Sequence, residues 1–269
     1  MHEIDLENWN RYKQYKWFST FRDATYGINI ELDVTDLVKY VKDNDKSFFV
    51  SFLYILMKGL NSREEMRMRY VNGKVVLYDD INPAYTVMTK AGTFENVCSQ
   101  NHDNFKEFYE EVKRDVDNAK NQEKVKDEYN DSEVFNEYYI TCVPWIEFSG
   151  LTHPIPDDKA SQVVPRVCFG KYHLVGDRYK MMLNITVSHE FVDGYPLSQV
   201  FINIQNMLNN LDNVTIVNYN DGKNRKINGN NKYLFNPLKK IKNLSLNNYL
   251  SSQSLKIKKI KNVQNKYFH

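Results

Sequence analysis

In the stretch Val187-Ser188-His189-Glu190-Phe191-Val192-Asp193-Gly194, one histidine and one aspartate stand four residues apart. An imidazole, with an unperturbed pKa of about 6.5, is the natural general base near neutral pH. A lone histidine serves packing as readily as catalysis, so its surroundings decide its meaning. Before it, residues 181–187 are mixed apolar and β-branched and predict a strand. After it, Leu197, Val200, Phe201, Ile204 and Leu208 recur at helical spacing, and Pro196 suits the first helical position. Gly194 fits a sharp turn that needs positive φ. His189 is thus expected where a strand exits into a turn, at the rim of a sheet, where chemistry is commonly found. No nucleophile elbow surrounds Ser188, which is assigned a positional role only.

The elements that must position this turn are legible upstream. Residues 28–34 alternate strictly and predict a strand, and 35–43 predict a helix. Residues 49–60 are apolar nearly all round and predict a buried helix. Asn72-Gly73 joins the runs 67–71 and 74–78 as a hairpin, since the pair supplies the two positive-φ positions of a type I′ turn. Residues 79–88 lead into a further strand. Phe105, Phe108, Val112 and Val116 mark one face of a helix over 104–120, and 121–132 read as a polar loop. Strands are predicted over 138–145 and 163–172, and Gly176-Asp177 turns the chain back into the strand that ends at His189. Residues 8–18 predict an amphipathic helix with a core tryptophan.

Composition bounds what such a body can be. The chain has 269 residues, 42% hydrophobic and 14% aromatic, enough for one or two packed domains. Its three cysteines, Cys98, Cys142 and Cys168, have no CxxC spacing, which argues against a zinc site or a disulfide framework. The N-terminus lacks the basic and apolar regions of a signal peptide, and the longest apolar run, 48–57, is too short to span a bilayer. A soluble, cytoplasmic protein without a metal is the expectation. The net charge of +2 hides an asymmetry: residues 218–269 hold 12 basic residues and one acidic, net +11, against 24 basic and 33 acidic in residues 1–217, net −9. The expected division is a domain over 1–213 and an Asn/Lys-rich basic tail over 214–269. The run 256–261 could contact nucleic acid or an anionic surface, but the tail's composition is that of a solvated, disordered segment.

The His-x-x-x-Asp-Gly turn between a strand and an amphipathic helix resembles that of the CoA-dependent acyltransferases, and further motifs resemble the chloramphenicol acetyltransferase type in particular. They are Asn8-Trp9-Asn10-Arg11, the hairpin through Tyr70-Val71-Asn72-Gly73, Pro83-Ala84-Tyr85-Thr86-Val87, Pro144-Trp145-Ile146-Glu147-Phe148-Ser149 and Gly170-Lys171-Tyr172. The resemblance covers about residues 3–210. It implies an α/β two-layer sandwich, a mixed sheet covered by helices, and a homotrimer with the active site between subunits. It further implies acetyl transfer from acetyl-CoA to a hydroxyl of chloramphenicol or another small acceptor, with His189 as general base. Arg11 would pair with Asp193 and hold the turn. Phe18, Thr86 and Phe94 would line the acceptor pocket, although strand packing explains the last two equally well. Tyr172 and Trp145 would contact CoA. Two positions depart from the pattern. Where the family has a serine that donates to the oxyanion, this chain has Gly150, and Cys168 stands in place of a family threonine. Ser149, a backbone N–H, or no donor at all then remain as alternatives. A lipoate-linked acyltransferase core and a catalytically weak ligand-binding relative are the rival readings.

Overall fold

The computed structural model describes residues 1–125 and 136–214. The tail expected over 214–269, save Val214, and residues 126–132 of the expected loop lie outside the described residues. In chain order the first elements are β1 (His2–Glu3), α1 (Tyr12–Phe18), β2 (Thr25–Asp33), α2 (Thr35–Asp43), α3 (Phe48–Asn61), β3 (Met68–Val71), β4 (Lys74–Leu77), β5 (Asn82–Met88) and β6 (Phe94–Cys98). They are followed by α4 (Phe105–Lys120), β7 (Glu137–Val143), α5 (Lys159–Gln162), β8 (Arg166–Gly170), β9 (His173–Val175), β10 (Arg178–Ser188) and α6 (Gly194–Leu208).

Seven strands form a mixed sheet in the order β2-β10-β8-β7-β5-β6, with β9 paired to β10. The β5–β7 and β7–β8 pairs are parallel and the rest antiparallel. A smaller sheet, β1-β4-β3, carries the hairpin, whose Asn72 and Gly73 have φ of 52° and 75° as the type I′ turn requires. The helical cover forms because α3 is apolar on almost every side and needs partners all round. It packs on α2, α4 and α6. A Cβ on Gly59 would meet Ile204 at 2.3 Å, so α3 and α6 approach closely at that glycine.

Alternation along β10 separates the two faces. Met181, Leu183, Ile185 and Val187 join the hydrophobic core with the helices. Met182, Asn184, Thr186 and Ser188 therefore face the other side. There the segment between β7 and α5 lies over them, and Asn184 Nδ2 donates to the Leu151 carbonyl at 3.3 Å.

Four sequence expectations are corrected. Gly194 does not take positive φ; it opens α6, and Asp193 is the extended N-cap at φ −91°, ψ 172°. Pro196 accordingly lies two residues inside the helix rather than at its first position. Asp193 gives its helix no side-chain cap, because its carboxylate is committed to Arg11. The strand expected over 138–145 stops at Val143, before the Pro-Trp pair. In the N-terminal segment only Tyr12–Phe18 is helical, and none of those residues is buried.

Candidate active site

The segment after β10 is held from one side by a single guanidinium. Arg11 Nε donates to Asp193 Oδ2 at 2.7 Å, and Nη2 donates to Asp193 Oδ1. Nη1 donates to the carbonyls of Phe191 at 2.6 Å and Glu190 at 3.2 Å, and Nη2 also reaches the His189 carbonyl at 3.3 Å. The planar fork of arginine allows this: five N–H groups are spread over one short arc of backbone and one carboxylate. Arg11 sits just before α1, with its own cation over the Trp9 ring at 5.2 Å. The core-packed tryptophan thus flanks the helix instead of belonging to it.

His189 leaves the end of β10 with its N–H donated to the Ala24 carbonyl at 2.8 Å. Its imidazole stacks on Phe18, with centroids 3.9 Å apart and planes 12° apart, and lies against Tyr26 at 4.8 Å. Nδ1 is sealed from solvent, 3.1 Å from Asp193 Oδ1 but off the line that a hydrogen bond requires. The side chain as a whole is 33% exposed. The Tyr26 hydroxyl donates to the Val192 carbonyl at 3.2 Å, and burial, reinforced by the Asp193 charge, pushes its pKa up to about 12. This phenol stays protonated at neutral pH and is no base beside the imidazole. Phe18 also belongs to an aromatic cluster with Trp17 and Phe21, of which Trp17 is largely exposed.

A feature that sequence reasoning missed lies behind the turn. Glu190 is fully buried, its Oε1 accepting from Lys159 Nζ at 2.8 Å and its Oε2 from the Tyr70 hydroxyl at 2.6 Å. Tyr70 in turn lies 3.1 Å from the Tyr15 hydroxyl. Burial, then the bond to Glu190, raises the Tyr70 pKa far above its ordinary value. A glutamate in a turn normally reads as solvated, and no local pattern marks this one as buried.

The remaining expected site residues lie elsewhere on the sheet. Gly150 is in the segment between β7 and α5, and the nearest atom to a Cβ built on it is Asn29 Nδ2 at 3.9 Å. Asn29 pairs with Asn184 on β10, and Asn184 Nδ2 donates to Asn29 Oδ1 at 3.0 Å. That pair is four residues up the strand from Ser188, roughly 13 Å from the turn. Ser149 lines a neighbouring cavity of about 320 Å³ with Glu31, Glu147, Lys171 and His173. Cys168, opposite Asn184 in the ladder, is buried, and burial pushes its thiol up to about 11, so it is not a thiolate. Trp145 is 64% exposed. Tyr172 is half-buried against Phe48 and Tyr179. Thr86 on β5 and Phe94 on β6 are three and four strands from β10, roughly 14 and 19 Å at the usual strand spacing. The chain therefore brings together His189, Asp193, Arg11 and Phe18, and leaves Ser149, Gly150, Cys168, Thr86 and Phe94 apart from them. Among the described residues no cluster of His, Cys, Asp and Glu could hold a metal ion, and no helix is long and apolar enough to cross a membrane.

Comparison with known proteins places these features in a known context. Residues 1–206 match the family described as chloramphenicol acetyltransferase. A chloramphenicol acetyltransferase of Escherichia coli is 28% identical over 203 residues, covering 75% of this chain and 91% of that protein. One of Clostridium perfringens is 26% identical over 219 residues, covering 78% and 95%. A solved chloramphenicol acetyltransferase superposes with a TM-score of 0.71 at 25% identity, covering 77% of this chain and 99% of that one. An Azotobacter vinelandii dihydrolipoamide acetyltransferase shares the fold at a TM-score of 0.57 and 13% identity, covering 76% and 88%.

Proposed function

The chain belongs to the chloramphenicol acetyltransferase family and is an acyltransferase, and on that premise we propose that it moves an acetyl group from acetyl-CoA to a hydroxyl of chloramphenicol, with His189 as general base. The observation that carries the reading is the Arg11 clamp, which presents the His189 imidazole at a strand end and stacks it on Phe18. Inactivation of the antibiotic, in the cytoplasm, would be the biological consequence.

The chemistry follows from which nitrogen is free. With Nδ1 sealed beside Asp193, Nε2 is left to take the acceptor's hydroxyl proton. The oxygen so freed attacks the thioester carbon, and the C=O electrons move onto oxygen. Collapse of that tetrahedral species breaks the C–S bond, and the proton held by His189 neutralises the departing CoA thiolate. Arg11 and Asp193 move no proton in this scheme; they fix the backbone that aims the ring. Trp145, exposed, and Tyr172, at the edge of the helical layer, are the groups we assign to CoA.

Base and oxyanion donor must both lie within about 3 Å of the same reacting centre. In one protomer the Ser149-Gly150 segment and the Thr86 and Phe94 strands are too far from His189 to meet that condition. A second copy supplying them is the arrangement that reconciles the parts, and it supports a homotrimer with the site between subunits. Gly150, which has no side chain to donate, favours one second reading, a slow enzyme or a ligand-binding relative that has kept the fold. Release of free thiol from acetyl-CoA, with chloramphenicol and other hydroxylated compounds as acceptors, separates the two. His189→Ala is expected to lower kcat by about 10²–10⁴ without unfolding the protein. Retention of more than about a tenth of the turnover would remove His189 as the base.

A further inference from the structure

We propose that Glu190, paired with Lys159, is a positioning residue for the base, a second clamp on the turn beside that of Arg11. The inference rests on His189 being the general base. Its starting point is a carboxylate with no exposed surface one residue from that histidine. Burial of a charge is costly unless the group is paired and hydrogen-bonded. Here both oxygens are satisfied, one by Lys159 and one by Tyr70, with Tyr15 behind it.

The partners explain what the pair is for. Lys159 Nζ donates to Glu190 at 2.8 Å and also to the Phe21 carbonyl at 2.6 Å. Phe21 packs on Phe18 with centroids 5.3 Å apart, and Phe18 is the ring stacked on the imidazole. One ammonium thus ties the backbone of the base to the segment that carries its stacking partner. Tyr15, on α1 with Phe18, and Tyr70, on the hairpin, close the loop from the other side. Arg11 fixes where the turn's backbone runs, and the Glu190–Lys159 pair fixes how the aromatic wall meets the ring. Loss of the link leaves the imidazole in place but free to rotate away from the reacting hydroxyl, and misalignment of about 1 Å can cost on the order of 10²-fold in rate.

The test uses the full-length protein and thiol release from acetyl-CoA across pH. Glu190→Gln keeps the side-chain size and an acceptor for Tyr70 but removes the charge. The plateau kcat is expected to fall by about tenfold or more, with KM for acetyl-CoA within about twofold. Lys159→Met, altered at a partly exposed side chain, is expected to lower plateau kcat likewise, with KM for acetyl-CoA within about twofold. It carries the test if Glu190→Gln does not fold. A folded Glu190→Gln protein with wild-type kcat overturns the proposal. So does a Lys159→Met protein with wild-type kcat. If the wild-type protein shows no His189-dependent thiol release, it is the underlying reading that fails.

Discussion

Arg11→Met is the perturbation whose size the structure defines best. It deletes two bonds to the Asp193 carboxylate and three to the carbonyls of His189, Glu190 and Phe191. Breaking a buried pair typically costs about 3–5 kcal/mol because one partner is stranded. Asp193 is 33% exposed, so water recovers part of the loss and the low end applies, about 3 kcal/mol. Asp193→Asn should cost about half as much, about 1.5 kcal/mol, because Arg11 keeps its three carbonyl acceptors. The double variant strands nothing on Asp193's side, so its cost should stay at about 3 kcal/mol instead of the ~4.5 kcal/mol of simple addition. In thermal melts at one fixed protein concentration, Arg11→Met is expected to lower Tm by roughly 6–12 °C. Both single variants should also lower kcat in the thiol-release assay, since the same bonds aim His189. Equal stability losses for the two singles, or strictly additive losses in the double, would refute a clamp that works through the backbone carbonyls as well as the carboxylate.

A Cβ added at residue 150 meets nothing closer than Asn29 Nδ2 at 3.9 Å, and the backbone there is not in the positive-φ region. Gly150→Ser is therefore expected to fold and to raise kcat with KM little changed, a preorganised donor being worth about 10²–10³ in kcat. If it brings no gain while Ser149→Ala brings a loss of about a hundredfold, Ser149 is the donor already in use. Truncation before residue 218 should leave kcat/KM within a few-fold and reduce only salt-sensitive binding to polyanions, given the net +11 of the removed segment; failure of the truncated chain to assemble would contradict this. The last prediction concerns acid stability. Burial raises the Asp33 pKa, but hydrogen bonds from Arg178 at 2.7 Å, Thr35 and Lys180 at 3.1 Å outweigh it and hold the carboxyl well below the usual range. A depressed folded-state pKa stabilises above the unfolded value of about 4, and the gain is lost as pH falls below it. Tm should thus decline on acidification below that point, and Asp33→Asn should flatten part of the decline; an unchanged slope would show that other carboxylates carry it.

Local physics made most of the elements readable. Strict alternation marks β2, a mixed apolar and β-branched run marks β10, an all-round apolar run marks α3, and Asn72-Gly73 can scarcely be anything other than a type I′ turn. These signals are written within a few residues, so no partner is needed to read them. The short edge strand β6 carries no such period, and its residues alone do not mark it. Gly194 is ambiguous for a related reason: it can serve a positive-φ turn or a helix start, and in the folded chain it opens the helix, after an Asp193 held by Arg11 from 182 residues away. The motif residues His189, Asp193 and Arg11 were visible as types and spacings, but their geometry was not. Only the tertiary structure decided that one guanidinium spans four residues of the turn, that Phe18 lies flat on the imidazole, and that Glu190 points inward to Lys159 and Tyr70. The physical reason is that a charged side chain has no intrinsic inside or outside. Its burial is paid for by partners, and here those partners come from α1, β3 and α5, which only the folded chain brings to one place. The same holds for the strand order that sets Thr86 and Phe94 apart from His189, since order in a sheet is fixed by long-range pairing that local sequence does not encode.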